Sequence, residues 1–197
     1  MVKKNDMNAL FIIDAQYGFI DGGELGVNGS KEKMDALAKY INESKGKYDY
    51  YFASADWHPS THCSFKENGG IWPPHCRQFS KSAAIYQPIL DAIENIGSEA
   101  VFFTKGIDDS REEYSVLKNA ESNKKLHSYI DNMGINNVDF CGIAGDFCVL
   151  DSMSDFHREF PGVKISAIIP FIASIDGGDK LFDFLKKNEN IDVIENV

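Results

Sequence analysis

Short apolar runs alternate with longer stretches in which apolar residues recur every third or fourth position. The runs at 9–13, 48–54, 100–104, 137–141 and 164–169 are of strand length, with polar residues at their ends, and 191–194 fits a sixth. Between them, Met34, Leu37, Ala38 and Ile41 fall on one face of a helix predicted over 30–44, with Ser30 as its candidate N-cap. Further helices are predicted near 85–96, 124–133, 146–160 and 179–187; Gly134 stops the third of the five and Pro161-Gly162 the fourth. Strands alternating with helices imply right-handed crossovers and a sheet covered on both faces. The expected fold is therefore α/β, three layers (α/β/α) around a central, mainly parallel six-stranded sheet. With 197 residues and no internal repeat, low-complexity stretch or linker, 1–197 reads as a single domain.

One segment breaks the alternation. Residues 55–83 carry Pro59, Gly69, Gly70, Pro73 and Pro74, and read as a long loop. Loops of this length in a compact domain are functional or disordered. This one holds both tryptophans, Trp57 and Trp72, and three of the five histidines, which argues against disorder. The strand ends supply a second clue. Asp14, Asp56 and Lys105 stand at or just past the ends of the first three runs, and Cys148 a short turn past the fourth. Open parallel sheets bind ligands beyond the carboxyl ends of their strands. The topology thus gathers an acid, a cation, a thiol and a potential metal ligand around one cleft.

Taken singly, each of these residues has an ordinary explanation. Cys148 suits a packed strand–helix junction, Asp14 a helix cap or loop brace, and Lys105 a solvated strand end. Together they form a coherent chemical unit, in which the carboxylate accepts the thiol proton while lysine stabilises the thiolate and the charge growing on a substrate. A helix N-terminus at Cys148 should lower the thiol pKa, and pairing with Lys105 should hold Asp14 ionised. In the loop, Asp56, His58, His62 and His75 offer one carboxylate and up to three imidazoles, donors that suit zinc, iron or manganese. Pro73-Pro74 would present His75 rigidly; the alternative is loop histidines bonded to backbone. His127 and His157 fall on helices away from the cleft and read as surface residues, and Cys63, Cys76 and Cys141 lack the context of Cys148.

The chain has 30 acidic against 20 basic residues, a formal charge of -10, which lacks the clustered cations of a nucleic-acid binder. No run is long enough to span a bilayer, and the apolar run interrupted by Asp14 is too short for a secretory leader. The cysteines match neither a paired zinc-ribbon pattern nor Cys-x-x-Cys. A cytoplasmic protein with no nucleic-acid or membrane partner is expected; a homo-oligomer stays open.

The motifs Asp14-Ala15-Gln16-x-x-Phe19, Asp56-Trp57-His58-Pro59, Trp72-Pro73-Pro74-His75-Cys76, Lys105-Gly106, Tyr114-Ser115 and Gly142-Ile143-Ala144-Gly145-Asp146-Phe147-Cys148-Val149 resemble, in order and spacing, the nicotinamidase/pyrazinamidase family of isochorismatase-like cysteine hydrolases. The resemblance implies that fold, hydrolysis of a small carboxamide (nicotinamide, with pyrazinamide as a second substrate) through a thioester, and a place in NAD salvage. It implies a catalytic Asp14, Lys105 and Cys148. The oxyanion hole would come from the N–H groups of Ala144 and Cys148 beside a cis Ile143–Ala144 peptide. Phe19, Trp72 and Tyr114 would bind substrate. Asp56, His58 and His75 would hold one divalent ion, zinc ahead of iron or manganese, with His62 as fourth ligand and Ser64 its alternative. Two other readings are an amidase of the same superfamily acting on another small carboxamide, and a non-catalytic domain binding metal or a pyridine. The sequence departs from the family at Arg77–Ser82, where a Gly-Thr-x-Gly stretch is usual, at Gly145, where Thr or Ser is common, and at Tyr17-Gly18.

Overall fold

A computed structural model describes residues 7–197; residues 1–6, including Lys3 and Lys4, lie outside the described part. The strands are β1 (Met7–Ile13), β2 (Tyr50–Asp56), β3 (Ala100–Lys105), β4 (Ile135–Ile143), β5 (Lys164–Ala173) and β6 (Asp192–Ile194). The helices are α1 (Ser30–Glu43), α2 (Gln87–Asn95), α3 (Ala120–Met133), α4 (Leu150–Glu159) and α5 (Asp179–Lys187). The sheet runs β3-β2-β1-β4-β5-β6, and every neighbouring pair is parallel. α1 packs on α2, and α4 on α5; right-handed crossovers put the first pair on one face and the helices after β3 on the other. The expected three-layer α/β/α architecture is present, with the sheet parallel throughout. Among the described residues no helix is long and apolar enough to cross a membrane.

β1 sits at the centre, and Ala9 to Ile13 are fully buried. The Phe11 ring meets Phe52, Phe103 and Phe140 at centroid distances of 5.6, 5.6 and 5.4 Å, so one aromatic row ties the four strands β3-β2-β1-β4. Such rings bury large apolar areas and prefer these tilted and edge contacts.

Several boundaries differ from expectation, each for a local reason. α1 is not capped by Ser30. Its cap position is Gly29, and the Asp21 carboxylate accepts from the N–H groups of Gly29 (2.9 Å) and Lys31 (2.7 Å), while the Ser30 hydroxyl donates to the Phe19 carbonyl. α3 starts four residues earlier than predicted because the Asn119 side chain accepts from Ser122 N at 3.1 Å. β5 continues past Pro170. The β4–β5 register jumps from Phe140–Ala167 to Gly142–Ile172, a bulge in which the missing N–H of proline does no harm. The segment after β4 opens as a π-type turn, Gly145–Val149, before α4.

The strand order reverses between β1 and β4, the switch point at which such sheets form their crevice. Gly142 keeps the two strand ends flush there. Its φ is +120°, and a Cβ on it would lie 2.0 Å from the Ile13 carbonyl oxygen. No side chain fits, so Asp14 and the turn carrying Cys148 emerge side by side. Gly142→Ala should therefore destabilise the fold by about 3 kcal/mol or more, read as a lower denaturant midpoint. A loss below about 0.5 kcal/mol, the scale of an ordinary surface substitution, would contradict this account of the crevice.

Candidate active site

The first cluster is built on strand ends. Asp14 leaves β1 with φ +45°, a left-handed conformation that turns its side chain out of the strand path and that few non-glycine residues adopt. Ser54 holds it in place, donating its hydroxyl to Asp14 Oδ1 (2.7 Å) and accepting from Asp14 N (3.2 Å). Lys105 ends β3 directly opposite Asp56 at the end of β2. Its ammonium lies 2.5 Å from Asp56 Oδ1 and 2.8 Å from Asp14 Oδ2, and donates to Cys148 Sγ at 3.4 Å. Oxygens of Asp14 and Asp56 and the sulfur of Cys148 all lie within 4.8 Å of one another. The Ile143–Ala144 peptide is cis, and the Ala144 carbonyl accepts from Phe147 N (3.1 Å) and Val149 N (3.0 Å) in the π-type turn that lifts Cys148 into the crevice. Turns of this kind recur at functional sites.

Burial governs the electrostatics here. Taking these groups out of water favours their neutral forms. It pushes the Cys148 thiol well above its ordinary range, and the nearby Lys105 opposes this only in part. It also raises Asp14, against the pull of Lys105. Both directions differ from the sequence expectation of a lowered thiol and a firmly ionised Asp14. Desolvation outweighs the single ammonium. Lys105 goes the other way: burial would neutralise it, but Asp14 and then Asp56 hold it charged. Burial would likewise raise Asp56, yet Lys105 and then His58 keep it below the usual carboxylate range.

The second cluster shares Asp56. His58 Nε2 lies 3.3 Å and His75 Nε2 3.9 Å from Asp56 Oδ2. The His58 and His62 rings stand 4.1 Å apart. In all three imidazoles Nδ1 is already engaged: His58 with the Gly106 carbonyl (3.0 Å), His75 with the Pro73 carbonyl (2.8 Å) and His62 with the Ser64 hydroxyl (2.7 Å). Facing carbonyl oxygens, Nδ1 of His58 and of His75 carries the ring proton and leaves Nε2 free to bind a metal, as in metal-binding histidines; His62 Nδ1 instead accepts from Ser64 N at 3.2 Å, which puts the proton of its neutral ring on Nε2. Among the described residues His62 Nε2 is buried without a hydrogen-bond partner. Asp56, His58 and His75 bring one donor atom each within 4.8 Å of the others. The residues fit a divalent ion of the zinc type. The Ser64 hydroxyl stands beside the His62 ring, 2.7 Å from its Nδ1.

A pocket opens between the clusters, lined among others by Phe19, Trp72, Tyr114, Phe147, Ala144 and Cys148. Trp72 Nε1 donates to the Tyr114 hydroxyl at 3.0 Å, and the Phe147 ring packs against both side chains. An apolar, aromatic wall with a few convergent polar groups is what a small planar ligand requires.

No protein-family model matches the chain. The nicotinamidase/pyrazinamidase of Mycobacterium tuberculosis is 30% identical over 173 residues, covering 86% of this chain and 88% of that protein. The chain belongs to the nicotinamidase/pyrazinamidase family. The Acinetobacter baylyi nicotinamidase is 29% identical over 193 residues, covering 89% of this chain and 85% of that one. Among solved structures, the pyrazinamidase of Pyrococcus horikoshii in complex with zinc superposes with a TM-score of 0.81 at 27% identity, covering 96% of this chain and 99% of that one. PnC1 from L. infantum in complex with nicotinate gives 0.82 at 26% identity, covering 96% and 92%.

Set against the nicotinamidase/pyrazinamidase family, the departure at Gly145 has a steric cause. A Cβ there would lie 2.1 Å from Ser174 Oγ, so Ser174 brings its hydroxyl into the space a Thr or Ser side chain would need. Asp146 then ties the following segment down, accepting from Ile175 N (2.9 Å) and Asp176 N (3.3 Å). The altered stretch at 77–82 pairs with the segment around His58: Gln78 N donates to the His58 carbonyl, and exposed Phe79 sets its ring edge to face with Trp57.

Sequence reasoning passed over Gln16 and Ser54. Gln16 donates to the carbonyls of Asp56 and Ala83 (2.8 Å each) and accepts from Asp56 N (2.8 Å), so it clamps the end of β2 to that of β1. A signal for Ser54 existed: it is the polar member of an apolar run, two residues before Asp56 and so on the same sheet face. His127 pairs with Glu159 at 3.1 Å, away from the site.

The imidazoles differ in how readily they take a proton. Burial lowers His62, to about 4, and lowers His75. His58 is raised, because Asp56 overcomes the cost of burial. A metal ion needs neutral imidazoles, so its affinity should be full at high pH and fall as pH drops through the raised range of His58. Zinc uptake by metal-free protein near neutral pH should expel protons, drawn first from His58. Calorimetric titrations in two buffers of different ionisation heat count them, and identical apparent enthalpies at pH 7 would refute the assignment.

Proposed function

We propose that the protein is a metal-dependent cysteine amidase that hydrolyses nicotinamide to nicotinate and ammonia, and accepts pyrazinamide at the same site. The observation that carries this reading is one compact cluster: the Cys148 sulfur within 4.8 Å of both the Asp14 and Asp56 carboxylates, with Lys105 between them. Cys148 and two of the metal-type donors, Asp56 and His75, line one aromatic pocket. The family membership, and the nicotinate complex of a structural relative, support the same substrate class.

Phe19 and Trp72 would hold the pyridine ring. Asp56, His58, His75 and His62 would bind one divalent ion, zinc by its donors, which supplies a Lewis acid for the ring nitrogen. Cys148 Sγ attacks the carboxamide carbon as its proton passes to Asp14. The N–H groups of Ala144 and Cys148 face the oxygen that gains charge, and Lys105 stabilises the anionic sulfur. The C–N bond breaks while Asp14 returns the proton to the departing nitrogen, releasing ammonia and leaving a thioester. Water then adds to the thioester and gives a proton to Asp14. The C–S bond breaks, nicotinate leaves, and the sulfur regains its proton. A raised Asp14 carboxyl suits a group that must both take and return a proton.

Purified protein should contain a divalent metal by elemental analysis and release ammonia from nicotinamide. Cys148→Ala should abolish turnover with metal content near normal, and Asp14→Asn should lower kcat by roughly 10²–10⁴-fold. Asp56→Ala or His75→Ala should lose metal, raising KM as well as lowering kcat. Ammonia release that survives in Cys148→Ala would rule out the covalent route. A substrate panel in which another carboxamide is much preferred would move the specificity elsewhere in the superfamily.

A further inference from the structure

We infer that Glu113 is a positioning residue for the metal centre, fixing the Gly106 peptide and through it the ring of His58. The inference rests on the metal-dependent reading above. Glu113 is 1% exposed, although it closely follows the exposed polar residues Asp108, Asp109, Ser110 and Arg111. A carboxylate buried this deeply must be answered by donors, and it is. Oε2 accepts from Gly106 N (2.8 Å) and Asn119 Nδ2 (3.2 Å), and Oε1 accepts from Arg111 Nε (3.0 Å) and Nη2 (2.6 Å).

The recipient matters most. Gly106 directly follows Lys105, and its carbonyl accepts from His58 Nδ1, the contact that sets which nitrogen His58 offers to a metal. The imidazole lies flat on the glycine: with φ at +65°, a Cβ on residue 106 would stand 2.3 Å from His58 Cε1. That conformation excludes a side chain, yet glycine does not enforce it, since glycine populates many others as easily. Hydrogen bonds must hold the turn. The Lys105 carbonyl accepts from Trp57 N (2.9 Å), the Gly106 carbonyl from His58, and among the described residues the Gly106 N–H is held by Glu113 alone. Removing Glu113 leaves that N–H buried and unpaired, or lets the peptide rotate and carry its carbonyl away from His58.

A brace that mattered only for stability would leave metal affinity of the folded protein unchanged, so affinity is the readout. Parent, Glu113→Ala, Glu113→Gln and Glu113→Asp are compared by zinc competition against a chromophoric chelator, and by the cobalt(II) ligand-field spectrum, well below each variant's Tm. Ala should bind zinc roughly 10- to 100-fold more weakly, the usual loss for an outer-shell partner, with a changed cobalt spectrum. Gln keeps a carbonyl oxygen for Gly106 N and should stay within about threefold of the parent. Asp keeps the charge but is one methylene short of that N–H, and should weaken zinc about tenfold or more. A folded Ala variant with parent-like affinity and spectrum overturns the inference. Should Ala not fold, a Gln variant weaker than Asp overturns it equally. A parent protein that binds no zinc would instead overturn the metal-dependent reading on which it rests.

Discussion

The buried ammonium of Lys105 is the interaction on which the site depends. It is 1% exposed and lies between the carboxylates of Asp14 and Asp56 with the Cys148 sulfur at 3.4 Å. Isolated, an ammonium in that position would lose its proton; two carboxylates keep it charged. Removing one member of such a cluster strands the others, at a cost of about 3–5 kcal/mol. Asp56 spends its second oxygen on the imidazoles of His58 and His75. The Cys148 thiol and the metal-type donors are therefore one electrostatic unit joined through Asp56.

The sheet delivers this unit through register. Asp56 and Lys105 are direct partners across β2 and β3, and Ile13 and Gly142 across β1 and β4. A slip of one residue in either pair would turn the side chain to the opposite face. The aromatic row around Phe11 opposes such a slip, since each strand would lose its buried ring. Packing far below the crevice thus fixes angstrom-scale geometry at its mouth. Gln16, bonded to both Asp56 and Ala83, carries that rigidity from the strands into the long loop.

Much of this was legible in the sequence because strand ends mark themselves. An apolar run that stops at Asp, Asp and Lys announces both the strand and the polar group its end will present, and a Pro-Pro before His75 announces a stiff turn. What stayed hidden depends on partners distant in sequence. The Asp21 cap on α1 acts across an eight-residue gap to Gly29. Pro170 hides the continuation of β5, because only the pairing with β4 shows the bulge that accommodates it. Glu113 lies in an acidic stretch that reads as a solvated loop, and nothing local marks its carboxylate as the fully buried one. The Gly145 departure is intelligible only once Ser174 is seen filling the space beside it.

The thiol shows the same limit in energetic form. Its place after a glycine turn at a helix start suggests a standing thiolate, and that inference counts the favourable dipole without the desolvation that comes with it. In the folded chain burial keeps the Cys148 thiol protonated and makes the Asp14 carboxylate a stronger proton acceptor. This is the more useful arrangement for catalysis. Stabilising a resting thiolate would deepen the ground state as well as the transition state and gain little rate. A neutral thiol beside a basic carboxyl instead keeps the negative charge latent until bond formation moves it onto the substrate oxygen. Fixed N–H groups in a dry pocket can then act on charge that exists only in the transition state.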